Sequence, residues 1–325
     1  MALGLAAGVL GWTPFGYLSK GTAREGDHMA KQPQTIVITG ASGGIGSELA
    51  LAYAAPGRRL ALLARNRHKL ETLALRCSDA GAHVHLITMD VRDRLALRRT
   101  LKAFDDQYPV DVLIANAGIT CGVAPSTGLE DPEEAHRLTE VNYTAAVEAA
   151  EAVLPGMRAR NCGQIVFLSS LAGLRALPDM PSYSATKAAV AAYGAALRGQ
   201  LRGTGIHVSV VFPGFVTSAM SQRHQGPKPL EISAVRASKK ILKGIQRRRS
   251  VIAFPKILVG LIWLQKTFLI PRLSDWTMSW FPARIDPDPS YSAVPDPDQA
   301  HKTVKPQGAE GEANKKPAST MPAGF

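Results

Sequence analysis

From Lys31 onward, short apolar and β-branched runs recur along the chain. They are "QTIVIT" (34–39), "RLALLA" (59–64), "HVHLIT" (83–88), "DVLIAN" (111–116), "QIVFLS" (164–169), "HVSVVF" (207–212) and "SVIAF" (250–254). Within each run apolar residues are nearly continuous, as in strands covered on both faces. Between them, apolar positions recur every three to four residues, predicting helices near 45–55, 67–80, 94–107, 133–159, 182–202 and 231–247. Strand–helix alternation of this kind predicts the α/β class: a doubly wound parallel sheet of about seven strands with right-handed crossovers. No internal boundary interrupts 31–255, and no repeat of solenoid period occurs, so this stretch reads as one domain.

The two ends read differently. Residues 1–30 form an N-terminal segment whose apolar part, 2–18, is broken by glycines and Pro14 and follows no basic region. A secretory signal is not expected there; the segment is predicted to be poorly ordered or a weak anchor, with Met29 as an alternative start. Residues 256–282 form an apolar extension whose longest uninterrupted run, Ile257–Leu264, is too short to cross a bilayer. The segment before it, 236–250, concentrates seven basic residues. Two readings stay open: peripheral membrane contact through 236–281, or a cover over the cleft or a neighbouring subunit. Residues 283–325 are rich in Pro, Asp and Lys and poor in large apolar side chains, so a disordered tail is predicted.

Composition narrows the partners. Hydrophobic residues make up 46% and charged residues 20%, ordinary for a globular protein. The net charge of +12 suits nucleic acid, an anionic membrane surface or an anionic cofactor. With aromatics at 6% and no interleaving with basic residues, no nucleic-acid partner is expected. Cys77, Cys121 and Cys162 are scattered and read as free thiols of a reducing, cytoplasmic compartment. His83 and His85 lie two apart with no further ligand nearby, so they read as one face of a strand and no metal is expected.

Candidate chemistry clusters at the ends of the predicted strands. "TGASGGIG" (39–46) follows the first strand and opens the first helix, and its Gly40, Gly44 and Gly46 let backbone N–H groups approach a pyrophosphate. "PSYSATKAAV" (181–190) sets Tyr183 and Lys187 four apart among small residues. That spacing puts phenol and ammonium on one helix face. A phenol with a pKa near ~10 needs about 4 kcal/mol of bias toward phenolate to work near neutrality. A neighbouring cation supplies bias of that sign.

With "MDV" (89–91), "NAG" (116–118), Asn142 in "VNYTA", "SS" (169–170) and "PG" (213–214) in order, the chain from about 35 to 255 resembles the short-chain dehydrogenase/reductase family. The resemblance implies a Rossmann-like fold and an oxidoreductase that moves hydride between a nicotinamide and a carbonyl or alcohol. Tyr183 would be general acid/base and Lys187 its cationic partner. Ser170, thirteen residues before the tyrosine, would bind the substrate oxygen, and Asn142 would help hold a water toward Lys187. Cofactor contacts are implied at Gly40, Ser42, Gly44, Ile45 and Gly46, at Asp90, Val91, Asn116, Ala117 and Gly118, and at Tyr183 and Lys187. After "PG" the contacts would be Pro213, Gly214, Val216 and Ser218. Thr217 offers a competing hydroxyl, and Met220 and Gln222 lie in the stretch where the family places a mobile substrate lid. At the end of the second strand Ala64 and Arg65 stand where a carboxylate would grip the ribose of NAD, and a guanidinium suits a 2′-phosphate. NADP(H) is therefore expected over NAD(H), with reduction of a lipophilic ketone or aldehyde. A homodimer or homotetramer packed through 133–159 and 182–202 is expected by the same resemblance. A dinucleotide-binding sensor without turnover is the competing reading; the intact Ser170, Tyr183, Lys187 and Asn142 argue against it.

Overall fold

The apolar runs become seven parallel strands: β1 (Thr35–Thr39), β2 (Arg59–Ala64), β3 (His83–Thr88), β4 (Val112–Ala115), β5 (Gly163–Leu168), β6 (Ile206–Pro213) and, last in the sheet, Val251–Phe254. The computed structural model describes residues 33–124 and 127–268, with 272, 273, 276, 285 and 286. Spatial order is β3-β2-β1-β4-β5-β6 followed by Val251–Phe254. Every pairing is parallel, so β1 has β2 on one side and β4 on the other. That reversal of winding opens a crevice beyond Thr39 and Ala115, where sheets of this kind bind ligands.

Helices cover both faces. They are α1 (Gly44–Tyr53), α2 (Arg67–Asp79), α3 (Arg94–Gln107), α4 (Pro132–Thr139), α5 (Ala145–Arg160), α6 (Pro181–Gln200), the short α7 (Ala219–Gln222), α8 (Ala234–Gln246) and α9 (Lys256–Phe268). Side-chain caps set several starts: Asn66 accepts from the Lys69 N–H, Asp93 from Ala96 and Asp131 from Glu133. One core layer packs Leu97, Leu101, Val153 and Met157 on the sheet; the opposite layer packs Leu49, Tyr53, Ile241 and Ile245. A third cluster joins Val210 and Phe212 to Leu258, Val259 and Ile262 of α9.

Four expectations change. β3 is the sheet's edge, and it is half-exposed, not covered on both faces. His83 is exposed while His85 packs its ring against Phe104 and Tyr108. The long helix expected over 133–159 contains a π-helical turn at Glu140–Thr144, between α4 and α5. The helix expected from 231 starts at Ala234, because Ile232–Ser233 forms β8, pairing with β7 (Val216–Thr217), and Ser233 caps α8. The seventh strand of the main sheet, Val251–Phe254, is accordingly β9. The segment predicted as disordered from 283 is pinned at Ile285, which bridges to His224. The rest of that tail and the segment 1–30 lie outside the described residues.

Candidate active site

The loop between β1 and α1 is shaped by close approach. Gly40 sits at φ +66°, in the left-handed region, and a Cβ there would come within 2.7 Å of the Ala117 Cα. A Cβ on Gly46 would lie 2.4 Å from the Gly40 carbonyl oxygen and 2.7 Å from Asn116 Nδ2. On Gly44 it would meet the Ser218 Cβ at 2.9 Å. Asn116 locks this turn from the neighbouring strand, donating from Nδ2 to the carbonyls of Thr39 and Gly40, each at 3.0 Å. The Thr39 hydroxyl accepts from the N–H groups of Asn116 and Ala117, each at 3.1 Å. No side chain caps α1, whose first residues follow Gly43. Backbone donors at an uncapped helix start, reached across side-chain-free residues, are what a pyrophosphate requires. Ser42 and Ile45 lie on this loop, both part-buried.

The chain continues from Asn116 into a second polar cluster. A Cβ on Gly118 would sit 3.2 Å from Lys187 Nζ and 3.3 Å from Asn142 Oδ1. Asn142 is 1% exposed. Its side chain clamps the Ile119 backbone, accepting from the N–H at 2.8 Å and donating to the carbonyl at 3.0 Å, and also donates to Thr186 Oγ1. Lys187, also buried, donates from Nζ to the Leu168 carbonyl at 3.0 Å and lies 5.8 Å from the centroid of the Tyr183 ring. The two serines just beyond β5 take different partners. Ser169 Oγ donates to the Lys187 carbonyl at 2.6 Å and holds α6 to β5. Ser170 hydrogen-bonds the Tyr183 phenol and accepts from the Ala172 N–H.

The expected acidity of Tyr183 is corrected. Burial pushes its phenol above the usual range, and the opposing influence is the Ser170 hydrogen bond, not the ammonium. Burial also lowers Lys187, to about 8. Desolvation penalises both charged forms, and Lys187 spends its closest contact on a carbonyl instead of the phenol oxygen.

At the opposite end of the crevice Arg65 is exposed beyond β2. Asp90 feels burial, which raises its carboxyl, but hydrogen bonds from Arg92 and the charges of Arg92 and Arg65 win and hold it below the usual range. Arg92 Nη2 lies 2.9 Å from Asp90. Val91 is buried beside Asp90 and packs in the core. Arg67 pairs with Glu71 along α2.

After β6 the Gly214 N–H donates to the Phe254 carbonyl at 2.8 Å, and Pro213 pairs with Phe254. Val216 is buried in β7. Of the competing hydroxyls, Ser218 faces the Gly44 turn and caps α7, whereas Thr217 is exposed, with its Oγ1 3.5 Å from the Ile232 carbonyl. Gln222 is exposed. The stretch after α7 is tied down on two sides. Arg223 donates from Nη2 to the Thr120 carbonyl at 3.2 Å and from Nη1 to the Asp286 carbonyl at 3.0 Å. Gln225 donates to the Asp286 carboxylate.

Ile119 and Thr186 were not singled out in the sequence, because each meets Asn142 far away in the chain. Glu130 is another: its carboxylate accepts from the Ser182 N–H at 3.1 Å, anchoring the start of α6.

The family model for short chain dehydrogenases matches residues 34–228. An uncharacterised oxidoreductase of Myxococcus xanthus is 34% identical over 223 residues, 68% of this chain and 87% of that protein. 11-beta-hydroxysteroid dehydrogenase 1A of Arabidopsis thaliana is 30% identical over 267 residues, 75% of this chain and 74% of that protein. Among solved structures, a short-chain dehydrogenase from Sphingobium yanoikuyae in complex with NADPH superposes with TM-score 0.62 at 27% identity, covering 73% of this chain and 97% of that one.

Proposed function

The chain belongs to the short-chain dehydrogenase family and is an oxidoreductase, and from that premise we propose that it reduces a lipophilic ketone or aldehyde with NADPH. The observation that carries this reading is the hydrogen-bonded Ser170–Tyr183 pair with Lys187 Nζ 5.8 Å from the phenol ring, beside Gly118. The residues fit the dinucleotide: a glycine turn that Cβ atoms would fill, an uncapped helix start, and Arg65 with no carboxylate at the end of β2. Bound NADPH supplies hydride from its nicotinamide ring.

Tyr183 gives its phenolic proton to the substrate oxygen as negative charge develops there. Ser170 donates a second hydrogen bond to that oxygen and aligns it. A phenol whose pKa is raised by burial stays protonated at neutral pH, which is the form that donates to the oxygen in reduction. Lys187, with its proton in exchange near about 8, refills the phenol. Asn142 positions this pair by fixing Ile119 next to Gly118. A lipophilic substrate is supported by the apolar α9 beside Leu171 and Leu174, which follow Ser170. The part-exposed alanines of α6 leave room for a second copy of the chain, which supports a homo-oligomer.

Titration with NADPH and NADH, then a panel of carbonyls graded by chain length, tests the reading. Tyr183→Phe is expected to cut turnover at least about 100-fold while NADPH binding stays within a few-fold. Full turnover by Tyr183→Phe, or no oxidation of NADPH with any carbonyl of the panel, overturns it.

A further inference from the structure

Arg223 joins three segments that are far apart in the chain. Its Nη2 donates to the Thr120 carbonyl at 3.2 Å and its Nη1 to the Asp286 carbonyl at 3.0 Å. The bond to Asp286 is returned: the Asp286 N–H donates to the Arg223 carbonyl at 2.9 Å, and Ile285 bridges antiparallel to His224. Gln225 adds a bond to the Asp286 carboxylate. His224, between them, is buried, and its ring lies 5.0 Å from that of Phe215. Surface loops are ordinarily the mobile parts of a fold. This one is held by residues from beyond α9.

Both ends of α7 meet the candidate site. Ser218, before it, has its Cβ 2.9 Å from where a Cβ on Gly44 would lie. Arg223, after it, grips Thr120, the neighbour of Ile119, which Asn142 clamps. One position earlier still, a Cβ on Gly118 would lie 3.2 Å from Lys187 Nζ. The segment 218–223 therefore reaches from the turn between β1 and α1 to the chain beside Lys187, and Arg223 fixes the second of those ends. A guanidinium suits this place, because its planar fork serves two carbonyls at once, whereas an ammonium is a point donor on a flexible stem. We propose that Arg223 is a positioning residue for the substrate: it seats α7 as a roof over the crevice, and Ile285 and Asp286 are the strap that fixes the height of that roof. The inference rests on the carbonyl reduction proposed above and adds the residues that set the fit of the substrate.

Two variants of the full chain test it. Arg223→Lys keeps the charge and loses the fork. Asp286→Pro, at an exposed position, removes both the N–H given to the Arg223 carbonyl and the carboxylate used by Gln225. With a carbonyl that the wild type reduces, each is expected to raise KM about tenfold while kcat stays within about threefold and NADPH affinity is unchanged. Amide hydrogen exchange over 219–225 is expected to quicken in both variants. An unchanged KM in both overturns the proposal, whether or not Tm falls. So does a loss of NADPH affinity as large as the rise in KM, which would assign the segment to the dinucleotide. Unchanged exchange over 219–225 overturns the strap. A wild type that reduces no carbonyl removes the reaction itself, whereas an active wild type with unaltered KM in both variants removes only the roof.

Discussion

Gly46→Ala probes how the turn between β1 and α1 is built. The added methyl would sit 2.4 Å from the Gly40 carbonyl oxygen, 2.7 Å from Asn116 Nδ2 and 3.1 Å from the Ala41 Cα. An ordinary contact begins near ~3.4 Å, so the carbonyl must retreat by about 1 Å. It has little freedom to do so, since it accepts from Asn116 Nδ2 at 3.0 Å and from the Gly43 N–H at 3.2 Å. Overpacking of this kind costs about 1–3 kcal/mol. In a domain of this size that lowers Tm by about 2–12 °C. A displaced start of α1 is expected to weaken NADPH about 10–100-fold. Calorimetric titration with NADPH and a thermal melt read the two effects separately. Gly199→Ala is the control: nothing lies within 4 Å of its Cβ, and in a helix the change should stabilise by about 0.5–1 kcal/mol. Wild-type affinity and Tm in Gly46→Ala would refute the packing argument. A lowered Tm with unchanged affinity would keep the packing and remove the pyrophosphate from this turn.

Four further outcomes are expected. Arg65→Ala should weaken NADPH about 10–100-fold and leave NADH unchanged, as loss of a charge-assisted bond to a 2′-phosphate requires; equal effects on both would exclude that role. Burial lowers Lys187 to about 8, so its ammonium is present below that pH; NADPH affinity should fall as pH rises through about 8, and Lys187→Met should flatten the profile. Between about 8 and the ordinary lysine range the unfolded chain holds the proton more tightly, so this group's contribution makes wild-type stability rise with pH there, relative to Lys187→Met, in denaturant titrations. The Thr120 hydroxyl is buried without a hydrogen-bond partner, so Thr120→Val should raise stability by about 1 kcal/mol in the same titrations.

The strands were legible because their signal is long and redundant. β1 is buried at every position, and a fully buried strand admits only apolar residues and small polar ones such as Thr35 and Thr39. Ser170 was separable from Ser169 by counting back from Tyr183, and the two hydroxyls take different partners, Tyr183 and the Lys187 carbonyl. β7 and β8, two residues each, are too short to carry any period. The half-exposure of β3 depends on what lies beside the strand, which its own residues do not encode. The phenol of Tyr183 departs from expectation for the same kind of reason. Lys187 is a local feature and can be read by counting, whereas desolvation sums over every atom packed nearby. Asp286, which ties Arg223 and Gln225, lies some sixty positions away from them, and no local pattern announces such a pairing.

The wide turn at Glu140–Thr144 has a geometric consequence. One residue more than a regular helix needs advances the winding by about 100°. Upstream of that shift Leu138 is buried; within it Asn142 faces Ile119, and downstream Ala149, Val153 and Met157 meet the sheet. Deleting a single position from the turn would force a choice. Either the asparagine keeps its grip and the downstream apolar residues rotate into water, or they stay seated and the grip is lost. The surplus residue acts as a phase shifter, letting one continuous rod serve two surfaces that regular winding would set out of step.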